Sequence, residues 1–131
     1  MFNNQDSNSG ADTALAQRAV LIVEDEALLS VMLEGLVREM GAREVHVHGD
    51  PDEARLVAES AALDCAILDV QLGSRNSFEV ADALDARSVP YIFSSAISPV
   101  DLDGRYRHKP LLGKPFSDAE LRAHLLDLLR C

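Results

Sequence analysis

Two short apolar segments of the chain each run directly into acidic residues. Residues 19–23 precede Glu24 and Asp25, and residues 65–68 precede Asp69. Uninterrupted apolar runs of this length are typical of strands that helices cover on both faces, as in a parallel sheet. In such a sheet, ligands bind where the carboxyl ends of strands meet at a reversal of strand order. The two segments therefore predict an α/β fold that carries three acidic side chains at one edge of its sheet.

Strand-like and helix-like patterns alternate along the rest of the chain. Three more strands are predicted from short apolar or alternating runs, at residues 45–47, 90–93 and 111–112. Asp50 and Ser117 are the residue types that begin helices, whereas residues 98–109 predict at most a short or frayed helix. Five strands alternating with helices predict a doubly wound five-stranded parallel sheet, flavodoxin-like, with strand order 2-1-3-4-5 and helices on both faces.

Composition and charge restrict the domain organisation and the cellular setting. Residues 1–17 are polar and aperiodic, which predicts a disordered leader, and residues 18–131 are predicted to form one domain. The formal net charge of −10 disfavours binding to nucleic acid or to an anionic membrane, and the apolar runs are too short to span a bilayer. Cys65 lies within a predicted strand and Cys131 ends the chain, so no disulfide is expected. These features predict a reduced, cytoplasmic protein.

The acidic edge predicts a specific chemistry if the first and third strands are neighbours. Glu24, Asp25 and Asp69 would then converge, and two like charges about 4 Å apart repel by roughly 4 kcal/mol at an effective dielectric constant near 20. A cation would relieve this repulsion, and carboxylate oxygens favour Mg²⁺. Ser95 follows the fourth predicted strand and Lys114 the fifth, so both could hold oxygens of a phosphoryl group. Asp69 would act as the nucleophile and form an aspartyl phosphate.

Four short motifs resemble, in order and position, those of the receiver domain of bacterial two-component response regulators. They are Leu-Ile-Val-Glu-Asp-Glu at 21–26, Leu-Asp-Val at 68–70, Ser-Ala at 95–96 and Gly-Lys-Pro-Phe at 113–116. The resemblance covers roughly residues 18–130. Residues 90–97 also resemble a degenerate form of the signature Pro-Phe-x-Phe-Ala-Thr-Gly-Tyr, which marks a group of single-domain receivers in alphaproteobacteria.

The resemblance implies a phosphoacceptor function. Asp69 would accept a phosphoryl group from a sensor histidine kinase, and Asp25 and Asp69 would ligate Mg²⁺ directly. Glu24 would act through water, and the backbone carbonyl of Gln71 would complete the protein ligands. The predicted protein is a stand-alone receiver and not an enzyme, apart from catalysing its own phosphorylation and dephosphorylation. It would signal through a downstream protein or serve as a phosphate sink, as a monomer or weak homodimer.

Four positions depart from the pattern of the family. Ser95 stands where threonine is commoner, which keeps the hydroxyl group and loses a methyl group. Leu111 occupies the position of the aromatic residue whose rotation usually reports phosphorylation. Ala96 and Ile97 replace the glycine and tyrosine of the subgroup signature. The resemblance therefore implies that phosphorylation chemistry is retained at Ser95 and Lys114, and that the switch acts through other groups.

Two alternative functions fit parts of the pattern. A phosphatase of the haloacid dehalogenase type also uses an aspartyl nucleophile, but it requires a second aspartate two residues later, where this chain has Gln71. A pseudo-receiver, a binding module that is never phosphorylated, agrees with the altered switch positions. The retained Asp25, Asp69 and Lys114 argue against it.

Two other polar groups have simpler interpretations. His46 and His48 lie on one face of a predicted strand, but no third metal ligand accompanies them, so we interpret them as polar residues of an edge strand. Residues 105–109 form a basic run in an acidic chain. This run is predicted to be a solvated loop or a docking patch for a partner.

Overall fold

The predicted alternation of strands and helices is present in the computed structural model, which describes residues 14–96 and 104–130. Within these residues, one sheet is built from five strands, which are β1 (Ala19–Val23), β2 (Glu44–His48), β3 (Cys65–Asp69), β4 (Tyr91–Ser95) and β5 (Leu111–Gly113). The helices are α1 (Ala27–Glu39), α2 (Pro51–Ser60), α3 (Phe78–Ala86) and α4 (Asp118–Leu128). The strand order is β2-β1-β3-β4-β5 and every pair is parallel, which confirms the predicted flavodoxin-like topology.

The reversal of strand order lies between β1 and β3. From β1 the chain moves outward to β2, returns to β3 on the other side of β1, and then continues to β4 and β5. At the carboxyl edge of the sheet, the paired residues are Val23 with Leu68, Asp69 with Ser94, and Ser95 with Gly113. The residues that end or follow β1, β3, β4 and β5 therefore meet at this edge.

Helices cover both faces of the sheet, which is why the central strands are apolar throughout. All five residues of β1 and of β3 are buried. Leu21 and Leu68 belong to the apolar cluster under α2 and α3, whereas Ile22 and Ile67 belong to the cluster under α1 and α4. Burying each such side chain is worth about 1.5–3 kcal/mol of transfer free energy. Burial also raises the pKa of the unpaired Cys65 thiol to about 12, so this thiol stays protonated.

Two helices begin where their capping residues predict. The Asp50 carboxylate accepts a hydrogen bond of 3.0 Å from the backbone N–H of Glu53, and Pro51 is the first residue of α2. Before α4, Ser117 and Glu120 form a reciprocal capping box. Such caps provide partners for N–H groups that have none within the helix, and each stabilises the helix by about 1 kcal/mol.

The fold begins earlier than the sequence predicts. The predicted leader comprises residues 1–17, and its first 13 residues lie outside the described residues. From position 14 the prediction of disorder is wrong, because Leu15 is fully buried and its N–H donates a 2.8 Å hydrogen bond to the carbonyl of Met40. Ala16 also pairs with Ala42 in an antiparallel bridge. The buried Leu15 side chain and these backbone contacts hold the segment against the end of α1.

The connection between β4 and β5 agrees with its weak sequence pattern. Positions 97–103 of this connection lie outside the described residues, as does Cys131. The part that is described contains one 3₁₀ turn, Gly104–Tyr106. Tyr106 is 2% exposed, so this turn is fixed by the burial of one aromatic ring.

Candidate functional site

The acidic triad is defined as Glu24, Asp25 and Asp69. Its residues come together as predicted at the switch point, which is the reversal of strand order between β1 and β3. One carboxylate oxygen from each residue lies within 4.8 Å of the other two. Glu24 is 3% exposed and Asp69 is 7% exposed, whereas Asp25 lies at the surface. Two of the three carboxylates are thus removed from water, where their mutual repulsion is strongest.

Lys114 is the cation that faces the triad. Its Nζ atom lies 3.1 Å from Glu24 Oε1 and 3.1 Å from Asp69 Oδ2. Burial by itself lowers the pKa of Lys114, but the hydrogen bonds and attraction to these two carboxylates outweigh burial and raise it. The ammonium group therefore stays charged at neutral pH and bridges the carboxyl ends of β1 and β3.

Backbone N–H groups orient the two buried carboxylates. The N–H of Glu26 donates to Glu24 Oε2 at 3.1 Å, and the N–H of Gln71 donates to Asp69 Oδ1 at 3.2 Å. Burial nevertheless raises the pKa of Glu24, and the nearby charge of Asp69 adds to this effect, although Glu26 and Lys114 oppose it. Ionised Glu24 is therefore held at a cost in folding free energy.

The raised pKa of Glu24 leads to a prediction for Glu24→Gln. In the folded protein the Glu24 carboxyl group keeps its proton at pH values above its ordinary pKa of 4.5. In the unfolded chain the same group has already released its proton at these pH values. The free energy of unfolding of the wild type should therefore fall, relative to that of Glu24→Gln, as the pH rises through the raised folded-state pKa. Urea unfolding in metal-free buffer, from about pH 4.5 to about pH 8, measures this difference.

The matched control for the loss of a carboxylate is Glu59→Gln on the exposed face of α2. A difference between wild type and Glu24→Gln that is independent of pH, or that favours the wild type increasingly at higher pH, would contradict the prediction.

Ser95 and Leu111, the predicted switch positions, lie on neighbouring strands. Ser95 ends β4, is 2% exposed, and its carbonyl accepts a 2.8 Å hydrogen bond from the N–H of Lys114. Ser95 is therefore next to the lysine that contacts Asp69. Leu111 is half-buried, pairs with Phe93, and packs against the apolar cluster under α2 and α3.

An aromatic cluster of Phe78, Tyr91, Phe93 and Tyr106 belongs to the same apolar core. The Tyr106 ring stacks on Phe78 with centroids 4.4 Å apart and planes at 9°, and it meets the Phe93 ring edge-on at 5.8 Å. Its hydroxyl group donates a hydrogen bond to the carboxylate of Asp82. Sequence reasoning missed Tyr106, since the available signal was one aromatic residue within a basic run.

Sequence reasoning also missed a two-stranded antiparallel hairpin directly after Asp69, which we call the site hairpin. It pairs Gln71–Leu72 with Arg75–Asn76, and Gly73 in its turn has a φ of 64°. A Gly-Ser pair between two short segments is a recognised hairpin signal and could have revealed it. Arg75 forms two hydrogen bonds with Asp52 in α2 and lowers the pKa of that carboxyl group.

The other polar groups singled out from the sequence do not join the site. His46 lies 2.7 Å from Glu44, and within residues 14–96 and 104–130 the acidic triad is the one group of three potential metal ligands. In the basic run, Arg105 pairs with Asp82 at 3.7 Å, and Lys109 with Asp85 at 3.0 Å. Arg105 and Lys109 of the run thus pair with acidic residues of α3.

The surface beside Lys114 includes an apolar groove of about 450 Å³. It is bounded by the exposed side chains Leu28 and Met32 of α1 and by Phe116. Among the helices in the described part of the chain, none is long and apolar enough to cross a membrane.

A doubly wound sheet with an acidic triad and a lysine at its switch point defines the receiver class of signalling domains. The family model described as the response regulator receiver domain matches residues 20–126. The chain therefore belongs to the response regulator receiver domain family of two-component signalling, as the motifs predict.

Individual relatives agree with this assignment. The transcriptional regulatory protein PdtaR of Mycobacterium tuberculosis is 36% identical over 115 residues, which are 85% of this chain and 56% of PdtaR. The chain thus spans little more than half the length of this relative. The solution structure of SdrG from Sphingomonas melonis Fr1 has 38% identity and a TM-score of 0.74, and the match covers 90% of this chain and 98% of SdrG.

A third relative contains a metal ion. The crystal structure of the receiver domain of the sensor histidine kinase PA1611 from Pseudomonas aeruginosa has a magnesium ion coordinated in its active site cleft. It has 26% identity and a TM-score of 0.71, and the match covers 88% of this chain and 100% of that domain.

Proposed function

We propose that this domain is a working phosphoacceptor and that Asp69 takes a phosphoryl group from a sensor histidine kinase. The observation that carries the proposal is the environment of Asp69. Its carboxylate is largely buried at the switch point, one oxygen contacts Lys114, and the other accepts the N–H of Gln71. A carboxylate held in one orientation beside a cation is suited to attack an electrophilic phosphorus atom.

The proposed transfer requires few chemical groups. An oxygen of Asp69 forms a bond to phosphorus while the phosphorus–nitrogen bond of the phosphohistidine breaks. The imidazole leaves with the electron pair of that bond and takes up a proton. Lys114 would neutralise charge on one phosphoryl oxygen, and the hydroxyl group of Ser95 would donate a hydrogen bond to another.

The residues present at the site fit Mg²⁺. Three ionised carboxylates facing one ammonium group leave a net charge of −2, and oxygen is the ligand atom that Mg²⁺ prefers. We propose that Asp25, Asp69 and the backbone carbonyl of Gln71 ligate the ion, with Glu24 acting through water. When bound, Mg²⁺ would offset the negative charge of the incoming phosphoryl group.

Millimolar Mg²⁺ is therefore expected to stabilise the protein against thermal unfolding. Binding to the folded state alone contributes about 2.7 kcal/mol at a hundredfold excess over Kd. Asp25→Asn should lose most of this stabilisation, because it removes a proposed ligand from an exposed position without disturbing the core. Melting temperatures with Mg²⁺ and with a chelator measure the effect.

Asp127→Asn, at an exposed position of α4, is the matched control and should keep the full response to Mg²⁺. If Mg²⁺ raised the melting temperature of Asp25→Asn as much as that of the wild type, the ligand assignment would be wrong.

A pseudo-receiver that binds partners without being phosphorylated is the second candidate. The replacement of the usual switch aromatic by Leu111 favours it, since this removes the ring that reports phosphorylation in similar domains. The contact between Lys114 and Asp69 favours the phosphoacceptor. Phosphoryl labelling with a small donor, such as acetyl phosphate, separates the two candidates.

We propose that the signal leaves by contact with a downstream protein, or that the domain acts as a phosphate sink. The apolar groove beside Lys114 offers a surface to which a phosphodonor protein would bind while its phosphohistidine reaches Asp69. Membership of the alphaproteobacterial subgroup and a monomeric or weakly dimeric state stay predictions.

A further inference from the structure

The site hairpin contacts Asp69 at its start and lies near Asp25 at its turn. At its start, the N–H of Gln71 donates a 3.2 Å hydrogen bond to Asp69 Oδ1. At its turn, a methyl group added to Gly73 would lie 4.0 Å from Asp25 Oδ2. Any movement of this hairpin would therefore change the environment of both Asp25 and Asp69.

The site hairpin is too small to hold its own position. Each of its strands has two residues, and an isolated two-stranded hairpin is at best marginally stable in water. Leu72 is the one residue of these two strands that is buried, whereas Gln71, Arg75 and Asn76 are exposed. The hairpin therefore depends on contacts to neighbouring elements.

Arg75 supplies such a contact by binding the first turn of α2. Its Nη1 atom lies 3.0 Å from Asp52 Oδ2 and its Nη2 atom lies 2.9 Å from Asp52 Oδ1. An exposed ion pair contributes most to stability in this bidentate geometry, because two parallel hydrogen bonds fix both side chains. The two residues are 23 positions apart in sequence, so the bond joins separate elements.

The segment that leads into α2 lies close to Asp25. A methyl group added to Gly49 would lie only 3.3 Å from the Cα atom of Asp25, and the adjacent Asp50 caps α2. The Asp52–Arg75 pair thus joins two segments that both lie near Asp25, which are the start of α2 and the turn of the hairpin.

We propose that Arg75 is a positioning residue that clamps the site hairpin to α2 and so holds Gln71 and Asp25 in place for Mg²⁺. The inference rests on the proposed function, since it concerns the same metal site. Arg75 would not ligate the ion, because it is a cation and its guanidinium group is bound to Asp52. Outer residues that orient metal ligands commonly change metal affinity by an order of magnitude, and for this exposed pair we expect about three- to tenfold weaker Mg²⁺ binding in Arg75→Met.

The sign of this effect distinguishes a clamp from a simple charge. Removing a positive charge near a cation site should strengthen Mg²⁺ binding if Arg75 acted only through its charge. Removing a clamp should weaken it. Isothermal titration of Mg²⁺ into wild type, Arg75→Met, Asp52→Asn and the double variant forms a cycle that separates the two effects.

If the pair is a clamp, each single variant weakens Mg²⁺ binding and the double variant is no weaker than either. If only charges matter, Arg75→Met strengthens binding, Asp52→Asn weakens it, and the double variant returns to the wild-type value, which would overturn the inference. Arg38→Met is the matched control, because it removes an arginine that makes two hydrogen bonds to one carboxylate oxygen of Glu34, within α1. It should leave Mg²⁺ binding unchanged.

Hydrogen exchange in metal-free protein tests the clamp without relying on the metal. Amides of residues 70–77 should exchange faster in Arg75→Met than in the wild type, while the amides of β1 and β3 stay equally protected. Equal exchange of the hairpin in both proteins would overturn the clamp. If the wild type binds no Mg²⁺ at all, the proposed metal site fails, and the exchange result alone then decides whether Arg75 holds the hairpin.

Discussion

Asp69→Asn is expected to abolish phosphoryl labelling of this protein. The amide side chain has nearly the same shape as the carboxylate, but it lacks the anionic oxygen that would attack phosphorus. In the wild type, acetyl phosphate or a histidine kinase should add one phosphoryl group in a reaction that requires Mg²⁺. Mass spectrometry of the intact protein measures the gain, and sensitivity of the product to hydroxylamine identifies an acyl phosphate.

Two variants define the specificity of this result. Asp127→Asn makes the same chemical change at an exposed position of α4 and should be labelled like the wild type. Asp25→Asn should be labelled more slowly, because it removes a proposed Mg²⁺ ligand while leaving the nucleophile. Labelling that persists in Asp69→Asn would show that another residue is the acceptor. A wild type that no donor labels would favour the pseudo-receiver.

The parallel sheet could be predicted because its determinants are local. The segments that become β1 and β3 are apolar at every position because helices cover both faces of the sheet, and Asp50 and Ser117 cap the helices that they precede. The acidic triad was also predictable, since the carboxyl ends of adjacent parallel strands must meet at one edge.

Features that depend on distant contacts could not be predicted in the same way. Leu15 lies in a polar, aperiodic segment, and it is ordered because it meets the end of α1, 25 residues later at Met40. The site hairpin has a turn signal at Gly73, but its hydrogen-bonded partner Asp52 lies on another element. Such contacts leave no periodic pattern in the sequence.

Tyr106 is the clearest case of a residue that tertiary contacts bring into the core. It lies in the basic run, where the sequence predicted a solvated loop or a docking patch. It is buried because Phe78 and Phe93, which come from α3 and β4, form a site for its ring. Leu111, the position that the resemblance assigns to the switch aromatic, packs against the same core. An aromatic ring is therefore present in this region, but a different part of the chain provides it.

Tyr106→Ala is expected to destabilise the protein by about 3–5 kcal/mol, the usual cost of removing a buried aromatic side chain. This is a large part of the roughly 5–15 kcal/mol that stabilises a typical domain, so the melting temperature should fall by on the order of 10 °C. The ring stacks on Phe78 and is 2% exposed, and alanine would leave a cavity between α3 and β4. Urea unfolding followed by circular dichroism measures the loss.

Tyr106→Phe separates the contribution of the ring from that of the hydroxyl group. It keeps the stacking on Phe78 and the edge contact with Phe93, and it removes the hydrogen bond to Asp82. The expected cost is about 1–2 kcal/mol, because the bond is made to a carboxylate in a partly buried position. Leu126 has a side chain that is 49% exposed. Leu126→Ala should therefore lower the free energy of unfolding much less than Tyr106→Ala does. If Tyr106→Ala were no more destabilising than Leu126→Ala, the ring would not be an anchor, and the connection between β4 and β5 would have to be held by other contacts.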